Sequence, residues 1–422
     1  MARKPTVVTL VIDAVGIPTL EYLLDKYSGK FTVPHLESMG LGNLLNEKHH
    51  SRVRPVTSHQ LAYAITQASA EADSVVGHRE IVGVVDSRKY ELFFNGFSPE
   101  YIDRLEQMIR RKTIFNQMAG GEEAIEKNRE EHERTGHPIV YASVCDPLIQ
   151  IAMHEDLIPV SEAHHITDVA FQLAREMGIQ ITRSIGRTYI VRDGEVVRTN
   201  NRHDAVLPLD GPTLIDVLYE AGVTTVSVGK PAELVPSYYW SSKVKLADPS
   251  QLNPTLGLRF IHPKGKDTNP YSIQGAVNAL REVRGLSRGA YLFVNCVDTD
   301  SLWGHTQKVV GSLDAIQEVD RCIPLLLDEM ERGDILIVTA DHGMLHAGDR
   351  VYHQNLDPRL WNYGYHSNEA VPLLAMRKEG EMSDFRLATA KTFASVGHLV
   401  AQAFGISDRF IDECALNQYF RA

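Results

Sequence analysis

Three separate apolar runs in this chain end in acidic or imidazole side chains. Val7–Ile12 leads into Asp13, Tyr291–Val297 into Asp298-Thr-Asp300-Ser-Leu-Trp-Gly-His305, and Ile335–Thr339 into Ala340-Asp341-His342-Gly343. Continuous Val/Ile/Leu stretches of this length suit strands buried on both faces of a parallel sheet, where neither face meets water. Such sheets bind ligands beyond the carboxyl ends of their strands. The expected fold class is therefore α/β, with a mostly parallel sheet flanked by helices. The acidic groups fall where that fold would do chemistry, and they are oxygen and nitrogen donors of the kind that hold a pair of divalent metal ions.

With 422 residues the chain can bury a large core in two or three domains, so no disulfide or structural metal is needed to keep it folded. Stability does not explain the ligand set. A formal net charge of −11 and a pI near 5.9 repel nucleic acid and anionic membrane, and no long Lys/Arg block reverses this locally. An anionic small molecule would have to be caught by a local basic cluster. Cys145, Cys296, Cys322 and Cys414 are widely spaced without a CxxC pair, which suits reduced thiols in a cytoplasmic enzyme. Arg3 and Lys4 precede an apolar run that Asp13 interrupts, so the start reads as a strand and not a signal peptide. No stretch is long enough to span a bilayer, and the oligomeric state has no signature in the sequence.

Strand-like and helix-like patterns alternate to about Val85 and resume near Pro208. Between them lie the charge-rich Glu122–Arg134 stretch, a strand candidate at Ile139–Ser143, a helix at Val169–Met177 and a hairpin with Asp193-Gly194 at its turn. This predicts a discontinuous core, 1–88 with 208–422, and an inserted domain at 89–207. In the resumed part, Pro212–Ala221 reads as a helix and Thr224–Val228 as a strand. A longer helix from Val309 to Glu331 carries Leu313, Ile316, Val319, Ile323 and Leu326 at spacings of three and four, a stripe that would pack on the sheet.

Taken singly, the polar residues have ordinary readings. Asp13 could cap a helix or form a turn, Ser74 could be a helix cap, and most of the 18 histidines must be satisfied surface or core groups. Asp341-His342 says more, because a carboxylate and an imidazole side by side at a strand end, followed by glycine, put two kinds of metal donor at one point. Asp300 and His305 repeat the pattern after another strand, and His366 precedes the strand-like Ala370–Leu374. Ser74, within Glu71-Ala-Asp73-Ser74-Val-Val-Gly77-His78-Arg79-Glu80, is the nucleophile candidate. Coordination to a divalent ion would lower its hydroxyl pKa, and a helix amino terminus would favour the phosphate it attacks.

The order of Asp13, the ADSVVGHREIVG segment, the inserted domain, DTDSLWGH, TADHG and H-x-x-E-x-VPLL resembles bacterial phosphopentomutase, of the alkaline phosphatase superfamily. The likeness covers nearly the whole chain. It includes Tyr141 to Glu155 and Arg198 to Asp204, which look like that family's sugar-phosphate-binding cap. The resemblance implies an alkaline-phosphatase-like core with an inserted α+β cap. It also implies two divalent ions, usually manganese, with magnesium or zinc as alternatives. Asp13, Ser74, Asp341 and His342 would surround one ion, and Asp300, His305 and His366 the other. Ser74 would be the residue phosphorylated, Ser143, Asp146, Arg187 and Arg202 would hold the sugar phosphate, and Lys230 would approach from the core. Arginine forks match phosphate oxygens.

The sequence departs from that family in four places. Position 74 is serine where the family has threonine, which keeps the hydroxyl. A longer loop separates His342 from His366 and contains His346, His353 and Trp361, so His353 competes with His366 for the last ligand position. The segment after Lys230 reads Pro-Ala-Glu-Leu-Val-Pro-Ser-Tyr-Tyr-Trp240 in place of a glycine-containing turn, and one extra residue sits between Tyr141 and Gln150. The expected activity is a phosphomutase working through a phosphoserine on a small sugar phosphate, with a sugar bisphosphate as activator. The resemblance points to ribose or deoxyribose 1-phosphate and 5-phosphate; the rivals are a mutase for a different sugar phosphate, a metal-dependent phosphohydrolase with the same ligands and a noncatalytic sugar-phosphate-binding protein. The Cys/Ser-x-Pro-x-Arg signature of a sulfatase is missing at Ser74.

Overall fold

The three apolar runs are strands with every residue buried: β1 (Thr6–Ile12) and, later in the chain, Ala290–Cys296 and Ile335–Thr339. The computed structural model describes residues 3–57, 60–144, 146–199, 201–244, 252, 256–258, 260–262, 266–345, 365–387 and 391–421. After β1 come β2 (Leu61–Ile65), β3 (Ile114–Met118), β4 (Ile139–Ala142), β5 (Leu148–His154), β6 (Arg183–Arg192), β7 (Glu195–Arg198) and β8 (His203–Val206). Then follow β9 (Thr224–Val228), β10 (Ser242–Val244), β11 (Ala290–Cys296), β12 (Ile335–Thr339), β13 (Gly343–Leu345), β14 (Tyr365–Ser367) and β15 (Val371–Arg377). Contacts divide the chain into two compact units, Met1–Ser87 with Leu209–Ala422, and Arg88–Pro208.

The larger unit is built on a seven-stranded sheet of order β10-β9-β11-β1-β12-β15-β2. Its first five strands are parallel; at one edge β15 joins antiparallel to β12, and β2 pairs antiparallel to β15, so that β15 alone runs against the rest. Register decides where the chemistry falls. Ile12 pairs with Cys296 and Val11 with Thr339, so β1, β11 and β12 end level with one another. Asp13, the 298–305 segment and Asp341-His342 therefore emerge at one sheet edge. Because β15 runs the other way, its start lies at that same edge, and the chain leading into it carries His366.

The helix Val309–Glu329 buries Leu313, Ile316, Val319, Ile323 and Leu326, the stripe its spacing predicts, and it continues through Pro324. Each such side chain contributes roughly 1.5–3 kcal/mol on burial, enough in sum to offset the backbone hydrogen bond that the proline removes. The helix predicted over Pro212–Ala221 forms over Leu214–Glu220, begun by a capping box in which Thr213 and Asp216 exchange hydrogen bonds. Among the described residues, no helix is long and apolar enough to cross a membrane.

The smaller unit holds a sheet of order β3-β4-β5-β6-β7, with β8 also paired to β6. The Asp193-Gly194 turn joins β6 to β7, both residues having positive φ, as a two-residue hairpin of matching twist demands. The helix expected over Val169–Met177 in fact runs from Val160 to Glu176. Ala163, Ile166 and Thr167 already belong to its buried face, and the polar His164-His165 pair hides that stripe in the sequence.

Candidate metal centre

The helix Ser74–Ile81 starts at the sheet edge where the acidic residues gather, and its cap is Asp73, whose carboxylate accepts from the Val75 amide at 2.7 Å. This corrects the ordinary reading of Ser74 as a cap. With capping left to its neighbour, the buried Ser74 hydroxyl lies 3.2 Å from His342 Nε2. Gly77 allows the helix to press on the site, since a Cβ there would lie 1.9 Å from the Asp341 carbonyl oxygen.

Two groups of donors converge. Asp13, Asp341 and His342 have ligand atoms within 4.8 Å of one another, and so do Asp300, His342 and His366. His342 Nε2 is 3.4 Å from Asp13 and 3.6 Å from Asp341, and its ring stacks on that of His366 with centroids 3.9 Å apart. The sequence reading assigned His342 to the first group alone, whereas the distances put it at the junction of both. His305 Nε2 and His366 Nε2 each lie 3.2 Å from Asp300 Oδ1. His346, His353 and Trp361 lie outside the described residues. Lys230, expected beside a sugar phosphate, has its ammonium 3.8 Å from Asp13 Oδ2.

The supporting contacts belong to residues that sequence reasoning passed over. Asn295 donates to Asp13 Oδ2 at 3.0 Å, and the Ala14 amide donates to Asp341 Oδ1 at 3.2 Å. The fully buried His78 holds Nδ1 2.9 Å from the Ser74 carbonyl and 3.1 Å from Asp341 Oδ2. His342 Nδ1 faces the Gly343 carbonyl at 3.0 Å, a contact that keeps a proton on Nδ1 and turns Nε2 toward the carboxylates. The only sequence signal for Asn295 and His78 is their nearness to Asp298 and Ser74.

Burial and charge set the ionisation. Burial, and then the Asp341 and Asp300 charges, push the Asp13 carboxyl well up, with Lys230 and His342 pulling against them. Burial also opposes the charge on Asp341, but His342 and His78 outweigh it and hold that carboxyl low. Asp300 is likewise held well below the usual range against burial, by His305 and His366. Burial disfavours a charged His342, yet Asp341, Asp13 and Asp300 raise it to about 9. Asp13 Oδ1 is buried and, with His342 Nε2 3.4 Å away, has no hydrogen-bond partner among the described residues, which is the condition a cation relieves. Carboxylates with imidazoles suit manganese, magnesium or zinc.

A divalent ion must displace the proton that His342 carries, because only neutral imidazole ligates. Apparent manganese affinity is therefore expected to climb as the pH rises toward about 9, by about tenfold per unit from the His342 proton alone and more steeply wherever the raised Asp13 carboxyl also gives up a proton. Titration calorimetry in buffers of different ionisation enthalpy would count that proton. Affinity that stays flat over this range would contradict the imidazolium.

In the smaller unit, Ser143 donates to Asp146 at 2.9 Å. Arg183 lies between Asp146 at 3.9 Å and Asp204 at 3.8 Å, and Arg202 grips Asp204 through two bonds of 2.6 Å. Arg187 donates to Gln150 at 2.5 Å, as does the Tyr141 hydroxyl at 3.2 Å. Burial brings the Arg187 guanidinium down to about 10. Arg183 was not singled out in the sequence, although its even spacing from Arg187 puts both on one face of β6.

Residues 260–408 match the family described as the Metalloenzyme superfamily. Over 414 residues the chain is 31% identical to a phosphopentomutase of Kosmotoga olearia, a match covering 94% of this chain and 95% of that one. The chain belongs to the phosphopentomutase family. A phosphopentomutase of Caldanaerobacter subterraneus is 30% identical over 418 residues, and one of Thermotoga petrophila 31% over 414, each covering 95% of this chain. As a phosphopentomutase family member it is a phosphomutase, an intramolecular phosphotransferase and a divalent-metal enzyme.

Proposed function

We propose that the chain interconverts the 1- and 5-phosphates of ribose or deoxyribose through a phosphorylated Ser74. The observation that carries this reading is the buried Ser74 hydroxyl at a helix amino terminus, 3.2 Å from the imidazole shared by both donor groups. Phosphoserine 74 gives its phosphoryl group to the free hydroxyl of the sugar monophosphate, the resulting bisphosphate presents its other end, and Ser74 takes back that second phosphoryl group. The net change is isomerisation, and no water is consumed. A sugar bisphosphate activator would load Ser74 at the start.

Asp13, Ser74, Asp341 and His342 would hold one ion, and Asp300, His305 and His366 the other. When bound, the two ions, manganese in our reading, supply positive charge that favours the serine alkoxide and offsets charge on the transferring group. The amides at the start of the Ser74 helix point their partial positive charge at the same place. Ser143, Asp146, Arg187 and Arg202 would bind the sugar phosphate, with Lys230 adding charge from the core. The buried, unbridged Cys296 and Cys322 fit a cytoplasmic enzyme.

The test is a time course of manganese-loaded protein with ribose 1-phosphate and a trace of sugar bisphosphate, following 5-phosphate and free phosphate together. The mutase reading expects 5-phosphate to accumulate at least about tenfold faster than free phosphate, since each lost phosphoryl group ends a catalytic cycle. Free phosphate as the leading product would make the chain a phosphohydrolase.

A further inference from the structure

Glu369, three residues beyond His366, belongs to neither donor group, yet three of the four segments that carry those donors, all but that of Asp300, meet at its carboxylate. Its Oε1 accepts from the Thr19 amide at 2.7 Å and from the Thr19 hydroxyl at 2.6 Å, and its Oε2 accepts from the Ser367 hydroxyl at 2.8 Å. The Thr19 hydroxyl in turn accepts from the Met344 amide at 2.7 Å. Thr19 lies six residues beyond Asp13, in the helix Ile17–Lys26, Met344 two residues beyond His342, and Ser367 next to His366.

Two glycines make room for this carboxylate. A Cβ on Gly16 would lie 1.9 Å from Glu369 Oε1, and one on Gly343 would lie 2.3 Å from its carboxyl carbon. Gly16 has φ of −71°, which any residue can adopt, so the missing side chain serves the close approach and not the backbone. Other bonds hold the surrounding chain: Gly343 pairs with Ser367 and Met344 with His366 across β13 and β14, and the Ile17 amide donates to the Ala370 carbonyl at 2.8 Å. Losing the Glu369 carboxylate would therefore shift ligand spacing without unfolding the unit.

We propose that Glu369 is a positioning residue for the two-ion centre, fixing the distances among Asp13, Asp341, His342 and His366 by tying together the segments that follow Asp13 and His342 and the residue next to His366. The inference rests on the two-ion reading above. Groups that orient metal ligands from behind typically contribute 10–100-fold to metal affinity.

The test measures manganese binding by equilibrium dialysis and the paramagnetic resonance spectrum of the bound pair, which responds to ion spacing and not to fold stability. Wild type is expected to take up two ions with a spin-coupled spectrum. Glu369→Ala should weaken uptake about 10–100-fold and alter the coupling. Glu369→Gln keeps an acceptor for Thr19 and can donate to Ser367, so it should recover to within about threefold, about one hydrogen bond's net worth. Gly16→Ala should weaken binding in the wild-type background and add little in the Glu369→Ala background, because the two changes break the same contact. Wild-type affinity and spectrum in both Glu369→Ala and Gly16→Ala would overturn the proposal. Wild-type protein that takes up no second ion would overturn the two-ion reading itself, and the proposal with it.

Discussion

Ser74→Ala is expected to lower phosphomutase turnover by about 10⁴-fold or more, because it removes the atom to which the phosphoryl group is transferred. The loss should fall far more heavily on turnover than on manganese content, since three of the four residues proposed to hold that ion, Asp13, Asp341 and His342, remain within 4.8 Å of one another without the hydroxyl. Folding should also be unaffected: the helix cap is Asp73, and among the described residues the Ser74 side chain hydrogen-bonds only with His342. Ser74→Thr restores the hydroxyl with one added methyl group and should recover activity to within about tenfold, the range expected for a small packing change. Retained turnover in Ser74→Ala, or equal loss of metal and activity, would remove Ser74 from its proposed role.

Asp13→Asn should have opposite effects on stability with and without metal. Asp13 is fully buried, and the neighbouring Asp341 and Asp300 charges add to the cost of ionising it. Asparagine has nearly the same shape, can still accept the Asn295 bond, and removes the like-charge repulsion. The metal-stripped variant should therefore melt higher than metal-stripped wild type, by about 1–2 °C for each kcal/mol relieved. In excess manganese the order should reverse. Wild type gains roughly 2.7 kcal/mol at a hundred times the dissociation constant, which the variant largely forgoes along with at least about 10³-fold of its activity. Such a trade of stability against function is ordinary where charges are gathered for a ligand. A variant that melts lower than wild type in both states would mean that the Asp13 carboxylate is well compensated without an ion.

The parallel strands were readable from the sequence because a strand buried on both faces leaves a continuous apolar run, and β1, β11 and β12 each did so. The donors at their ends were readable for the same reason, a polar residue being conspicuous after such a run. Ser74 could be singled out, but not the division of labour with Asp73, since either residue type can cap a helix. The sharing of His342 between two donor groups depends on strand register and ring stacking, which adjacency to Asp341 cannot reveal. Asn295 sits inside an apolar strand and Glu369 follows a histidine by three residues, so neither carries a periodic or compositional signal; their partners are distant in sequence. In the smaller unit the hairpin was legible from Asp193-Gly194, whereas the start of the Val160–Glu176 helix was hidden by two histidines on its surface turn.

The phosphoryl group is expected to pass through Ser74. Manganese-loaded protein treated with a sugar bisphosphate carrying radioactive phosphorus, then digested and sequenced by mass spectrometry, should carry one phosphoryl group on Ser74. A chase with unlabelled ribose 1-phosphate should move that label into sugar phosphate. Label on any other residue, no label at all, or a chase that releases the label only as free phosphate would contradict the account.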